Sequence, residues 1–251
     1  MQNAKPVTTV GLHGGATRQS ALVTNRLMAL WRTVIGKKIL MAVTGVVLIG
    51  FVIGHVVGNL KIFSGPDGIN AYSRFLREVG QPELGYGQLL WLVRIVLLVC
   101  VGLHITAAVQ LTRMSRVARP VGYTVKRNVE TTFAARMMRW GGVLLVLFII
   151  FHLLHLTGGI VGFSAGQFKH LAVYQNVVAA FAVWPVAAFY IVAMCALCLH
   201  LSHGIWSMLQ TLGWSTARNE AKLKLLSRII AIVVFLGFTS VPVAVMAGWL
   251  H

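Results

Sequence analysis

Residues 39–60 read ILMAVTGVVLIGFVIGHVVGNL, 22 residues without one Asp, Glu, Lys or Arg. About 20 such residues in a helix, rising about 1.5 Å each, cross a hydrocarbon core about 30 Å thick. The run follows a long polar stretch and no small-residue cleavage site comes after it, so it reads as a permanent span rather than a removable signal. Four more apolar runs follow, at about 88–112, 141–163, 182–207 and 229–250. The chain is 57% hydrophobic and 11% charged, more apolar than a soluble domain of 251 residues needs. Only helices or closed barrels satisfy the backbone inside lipid, and runs of this length select helices. The expected fold is all-α: an integral membrane bundle of five transmembrane helices with an N-terminal amphipathic interfacial segment. Residues 1–35 are the expected cytoplasmic tail and interfacial helix, and residues 36–251 the five-helix domain.

The charge is strongly basic, 22 Lys and Arg against 5 Asp and Glu. In a soluble protein that balance would point to nucleic acid, but the positions exclude it. Lys5, Arg18, Arg26, Arg32, Lys37 and Lys38 precede the first span. Arg113, Arg116, Arg119, Lys126, Arg127, Arg136 and Arg139 follow the second, and Arg218, Lys222, Lys224 and Arg228 follow the fourth. The alternate loops are nearly balanced: Lys61, Arg74 and Arg77 face Asp67, Glu78 and Glu83, and the next carries Lys169 alone. By the positive-inside rule the N-terminus is cytoplasmic and the C-terminus outside, as in a bacterial cytoplasmic membrane. The basic side should attract anionic lipid headgroups or an acidic partner surface.

Residues 1–15 lack any period and read as disordered. Residues 19–35 alternate apolar Leu22, Leu27, Leu30 and Trp31 with Arg26 and Arg32, which suits a helix lying on the membrane surface. Gly50, Gly54 and Gly58 leave one face of the first span bare, open to a neighbouring helix or a flat cofactor. The outer loop holds a short helix, capped by Asp67 or Asn70 and stopped by Gly80 and Pro82. The third span is expected to break at Gly158-Gly159. The fifth carries no ionisable residue between Arg228 and His251, which marks a packing helix.

Six histidines stand inside the first four spans, and one from each, His55, His104, His152 and His200, recurs at separations of 49, 48 and 48 residues. An ionisable group in the membrane is costly and marks a functional site by default. A neutral imidazole offers one lone pair to a metal, and haem iron in a b-type cytochrome takes two axial ligands from opposite faces. Helices of a bundle can supply both. Depth sorts the four. At about 1.5 Å per residue, His55 lies roughly 9 Å outward of its span's middle and His152 near the centre or slightly outside. His104 and His200 both lie roughly 5 Å inward. The expected axial pairs are therefore His55 with His152 for an outer haem b and His104 with His200 for an inner one. His155, one turn beyond His152, is closer to His55 in depth and is a rival ligand. His155 and His203 are otherwise donors to propionates, quinone or carbonyls. His13, His170 and His251 read as solvated. Ala107, Ala108, Ala196, Gly204 and Gly58 leave room for a porphyrin beside the ligands.

Cys100, Cys195 and Cys198 give no disulfide framework and read as small buried apolar residues. Cys195-x-x-Cys198 before His200 and His203 raises a Rieske-type cluster as the competing centre. On one straight helix His200 stands roughly 140° around from Cys195 and 160° from Cys198 at about 100° per residue, so that cluster needs histidines from another span, such as His152 and His155.

Several short motifs recur in a specific order: Gly36-Lys37-Lys38 before Met41-Ala42-Val43-Thr44-Gly45; His55-Val-Val-Gly58-Asn59-Leu60; Asn70-Ala-Tyr72 with Leu76; Arg94 with His104; Ala118-Arg119-Pro120; Phe151-His152-Leu153; and His200-Leu-Ser-His203-Gly204-Ile-Trp206 with Gly213-Trp214. Over residues 31–250 the chain resembles the single-subunit, b558-type cytochrome b membrane anchor of succinate:quinone oxidoreductases, the succinate dehydrogenases and fumarate reductases. The resemblance implies two b haems on His55, His104, His152 and His200. It also implies docking of an iron–sulfur subunit on the basic side, which in turn carries a flavoprotein with FAD, and exchange of electrons with menaquinone or ubiquinone. Arg77 and Glu78 are the candidate quinone residues on the outer loop. Some fumarate reductases of the family carry a glutamate two residues before the fourth-span ligand; here Cys198 stands there, so a proton path through that carboxylate is not expected. The competing readings are the same anchor with a Rieske-type cluster or no haem, and the dihaem cytochrome b of another dehydrogenase, such as a hydrogenase or formate dehydrogenase.

Overall fold

The structure is a computed structural model that describes residues 29–118 and 133–251. The tail at 1–15, most of the segment at 19–35 expected to form an interfacial helix, His13, and the loop carrying Arg119, Lys126 and Arg127 lie outside the described residues. Residues 29–32 are helical and turn at Thr33 into the first span. Thr33 caps that span, its hydroxyl accepting from Gly36 N at 2.9 Å. Lys37, 6% exposed, turns back to donate to the Trp31 carbonyl and sits over the Trp31 ring, 5.0 Å from its centre. The incoming segment is thereby tied to the span.

Among the described residues, five helices are long and apolar enough to cross a membrane. They are α1 (Val34–Leu60), α3 (Gln88–Val117), α4 (Phe133–His152, prolonged by a π turn over Leu153–Thr157), α6 (Trp184–Thr211) and α7 (Glu220–Met246). Two shorter helices, α2 (Gly65–Glu78) and α5 (Val173–Phe181), lie between spans. Among the described residues there is no strand. The spanning helices show lipid-facing exteriors: Leu92, Ile95, Leu98, Leu147, Val233 and Leu236 are each more than half exposed. Apolar side chains facing outward along a whole helix are stable only in a hydrocarbon solvent.

The apolar runs locate the spans but understate several helices. α7 begins at Glu220, nine residues before the run at 229, because polar helix continues into the headgroup region wherever its backbone bonds to itself. The third run, in contrast, stops short of 163. Leu153–Thr157 widens into a π turn, Gly158 caps it, and Gly159 takes φ +61, which ends the helix. α2 begins at Gly65 with Pro66 in its first turn, so neither Asp67 nor Asn70 caps it. Asn70 instead bridges to α5: its side-chain oxygen accepts from Tyr174 N at 3.1 Å and its amide donates to Gln175 at 3.4 Å. The sequence reading did not anticipate α5. Together α2 and α5 close one end of the bundle over a core of Ile62, Ile69, Tyr174, Val177, Phe181 and Tyr190.

α1 and α6 are the central helices and pack on each other. α3 packs on α1, α4 packs on α6, and α7 fills the seam against both central helices. At Gly237 of α7 a Cβ would lie 2.5 Å from Val56 Cγ2, so α7 lies close against α1 there. Neither α1 with α4 nor α3 with α6 belongs to the closely packed pairs.

Candidate functional site

The four span histidines bridge those unpacked helix pairs. His55 on α1 and His152 at the end of α4 stand with ring centres 5.9 Å apart and planes at 80°. His104 on α3 and His200 on α6 stand 6.3 Å apart at 52°. Each pair joins one central helix to the flanking helix that packs on the other central helix. Two metal–imidazole bonds of about 2 Å, with about 1 Å from each nitrogen to its ring centre, put two axial imidazoles about 6 Å apart. Both pairs have that separation.

The surroundings fit a flat apolar macrocycle. Phe51 stacks on His55 at 5.2 Å, Phe148 on His152 at 5.7 Å, and Phe238 tilts against His55 at 5.7 Å. A side chain added at Gly50, Gly54 or Gly204 would meet nothing within 4 Å, so space lies open beside His55 and one turn from His200. Gly58, by contrast, is covered by Tyr72 of α2, whose ring a Cβ there would meet at 2.7 Å. His200 lines an apolar pocket of about 160 Å³ with Met137, Gly141, Leu144 and Ala196, and its Nδ1 is buried without a hydrogen-bond partner.

Hydrogen bonds orient one member of each pair. Thr44 Oγ1 lies 3.1 Å from His104 Nδ1, and Tyr190 Oη lies 3.4 Å from His152 Nδ1. Tyr190 also lies 3.0 Å from Nδ1 of His155. His155 is fully buried. Its ring packs between Phe151 and Phe163, and a Cβ on Gly162 would stand 2.8 Å from its Nε2. One nitrogen of His155 is thus engaged by a phenol, and the other, Nε2, is buried under the 158–172 loop without a hydrogen-bond partner among the described residues. Sequence reasoning missed Tyr190 and gave Thr44 no role. The signal for Tyr190 was a lone hydroxyl in the otherwise apolar N-terminal half of the fourth span.

The remaining candidates are scattered. Arg77 is half-buried on α2, donating to the Ser73 carbonyl at 2.6 Å and hydroxyl at 2.9 Å, while Glu78 is exposed. His170 and His251 are exposed, and His203 is partly buried one turn from His200. Cys195 is exposed, and Cys198 packs into the α6–α7 seam beside Leu201 and Ile205. Among the described residues no three His, Cys, Asp or Glu side chains converge on one point. The rival cluster of two cysteines and two histidines is not assembled there, because helix rotation turns the cysteines away from the histidine pairs.

The succinate dehydrogenase/fumarate reductase transmembrane subunit family matches residues 112–239. This chain belongs to that family. The matched stretch covers half of the 251 residues and contains His152 and His200, one member of each pair; His55 and His104 precede it. No curated protein and no solved structure matches the chain. As a family member the chain is an integral membrane subunit of a succinate dehydrogenase or fumarate reductase, and its five apolar helices are those of an anchor.

Proposed function

We propose that this chain is the dihaem, b558-type cytochrome b anchor of a succinate:quinone oxidoreductase, passing electrons between an iron–sulfur subunit and membrane quinone. The single observation that carries the reading is the pair of interhelical imidazole couples at 5.9 and 6.3 Å, in a family member. His55 and His152 would hold the outer haem and His104 and His200 the inner one. His155 is set aside as a ligand because both of its nitrogens are covered. Bound haem would supply one-electron transfer. The chain's own part is to hold neutral imidazoles in pairs, keep them dry among Phe51, Phe148 and Phe238, and leave bare helix faces beside them.

In this reading the basic end of the bundle faces the cytoplasm. Lys37 and Lys38 of α1, Arg113 and Arg116 of α3, Arg136 and Arg139 of α4, and Lys222, Lys224 and Arg228 of α7 all stand at that end of an antiparallel bundle. That surface would receive the iron–sulfur subunit, with the FAD-bearing flavoprotein beyond it. Arg77 and Glu78 on α2 remain the quinone candidates, with menaquinone and ubiquinone both admissible. The test is the purified complex. With this chain it should pass electrons from succinate to a quinone; stripped of it, the soluble pair should reduce only an artificial dye. Quinone reduction at full rate without this chain would overturn the proposal.

A further inference from the structure

Thr44 has one hydroxyl hydrogen, and it is spent on α1. Oγ1 donates to the Leu40 carbonyl at 2.8 Å, with the Met41 carbonyl at 3.2 Å. Carbonyls only accept, so toward His104 Nδ1, 3.1 Å away, the hydroxyl oxygen can only accept. His104 therefore carries its hydrogen on Nδ1 and presents the lone pair of Nε2. The contact is buried, Thr44 being 3% exposed, and the ring edge rests on α1: a Cβ on Gly45 would stand 3.8 Å from His104 Cε1. The opposite imidazole, His200, has no such partner at Nδ1.

The other pair has the same asymmetry with a different device. Tyr190, 6% exposed, has one phenolic hydrogen and two imidazole neighbours, so it donates to one and accepts from the other. If His152 presents Nε2 to a metal, its Nδ1–H points into the phenol oxygen. The phenol hydrogen then goes to His155 Nδ1, the closer contact. His155 is thereby the end of a chain that runs His152, Tyr190, His155.

We infer that Thr44 and Tyr190 are positioning residues, each fixing the tautomer and raising the donor strength of one axial histidine: Thr44 for the inner centre through His104, Tyr190 for the outer centre through His152. The inference rests on the dihaem reading. An acceptor on the distal N–H of a ligating imidazole makes it a stronger donor, which favours ferric iron. Removing the acceptor should raise the midpoint potential of that haem and leave its neighbour unchanged.

The experiment is an optical redox titration of the intact complex carrying Thr44→Val, Thr44→Ser or Tyr190→Phe, with each haem assigned by the component lost in His200→Ala (inner) or His152→Ala (outer). Thr44→Val should lower the ferric-to-ferrous ratio of the inner haem at a fixed potential about three- to tenfold, tenfold being about 59 mV for one electron. Thr44→Ser should restore it. Tyr190→Phe should do the same to the outer haem alone. If Thr44→Val fails to assemble, Thr44→Ala is titrated in its place, with the same two outcomes. The inference is overturned if neither haem moves, if Val and Ser behave alike, or if either variant moves the wrong haem. A wild-type complex without two separately titrating b haems would sink the underlying reading instead, and that is seen before any variant is made.

Discussion

Gly237→Ala overpacks the α1–α7 contact beside the His55–His152 pair. The new Cβ would lie 2.5 Å from Val56 Cγ2, whereas ordinary contact begins near 3.4 Å, so about 0.9 Å must be found. Val56 cannot swing aside, because a β-branched side chain in a helix holds one rotamer. It is buried at 6% exposure between α1 and α7. The helices must therefore part, and in lipid their contact rests on close packing rather than on water exclusion. Overpacking of this kind costs about 1–3 kcal/mol. In a chain of this size, each kcal/mol lowers the melting midpoint by about 2–4 °C. Val56 neighbours His55, and Phe238 neighbours Gly237 while touching the His55 ring at 5.7 Å, so the strain reaches the histidine. The assay is thermal loss of the monodisperse peak of the detergent-solubilised complex. Gly237→Ala should lower the midpoint by several degrees. Adding Val56→Ala should recover at least about 1 kcal/mol of the sum of the single losses, since the removed methyls are the ones that clash. A Gly237→Ala variant as stable as the parent, or strict additivity in the double variant, would refute the close α1–α7 approach.

Three further outcomes follow from named contacts. His155→Ala should leave both haem absorptions in place, whereas His152→Ala should remove one, as read from the reduced-minus-oxidised spectrum; the reverse order would exchange their roles. Asn70→Ala removes the acceptor for Tyr174 N, which holds α2 to α5. It should cost about 1–3 kcal/mol by leaving a part-buried amide unpaired, seen as faster proteolysis of the 158–172 loop. Glu220→Gln breaks the 2.5 Å pair with Lys224, but both side chains are about two-fifths exposed, so the melting midpoint should stay within about a degree.

The five spans were legible because hydrocarbon imposes length and composition together, and no soluble alternative tolerates 22 uncharged residues in a row. The even spacing of the four histidines along their spans was legible for the same reason. Azimuth was not. Nothing in the one-dimensional pattern says that Tyr190 points at His152 and His155, or that Thr44 turns toward His104; those depend on how α1, α3, α4 and α6 are rotated against one another. His155 stayed a rival in sequence because depth favoured it, and only the fold of the Gly158–Gly159 break and the loop around Gly162 shows its Nε2 covered. α5 was hidden because its apolar residues run almost continuously into the fourth span. The boundary is a local backbone event: Val183 goes extended and Pro185 opens α6.

The glycine stripe was half read. Gly50 and Gly54 do face open space, as a flat ligand or a lipid chain requires, but Gly58 serves another purpose, seating Tyr72 from α2. A sequence period identifies a bare face without naming its occupant. The same limit applied to Cys195 and Cys198, whose spacing resembles a cluster motif while their helix turns Cys195 outward and packs Cys198 against α7.

The most direct measurement of the central claim is the haem-to-chain ratio of the purified complex by pyridine haemochrome, taken with the parent and with His200→Ala. Two b haems per chain, falling to one, is the predicted result. A ratio of zero in the parent, or no change on losing His200, would contradict the account.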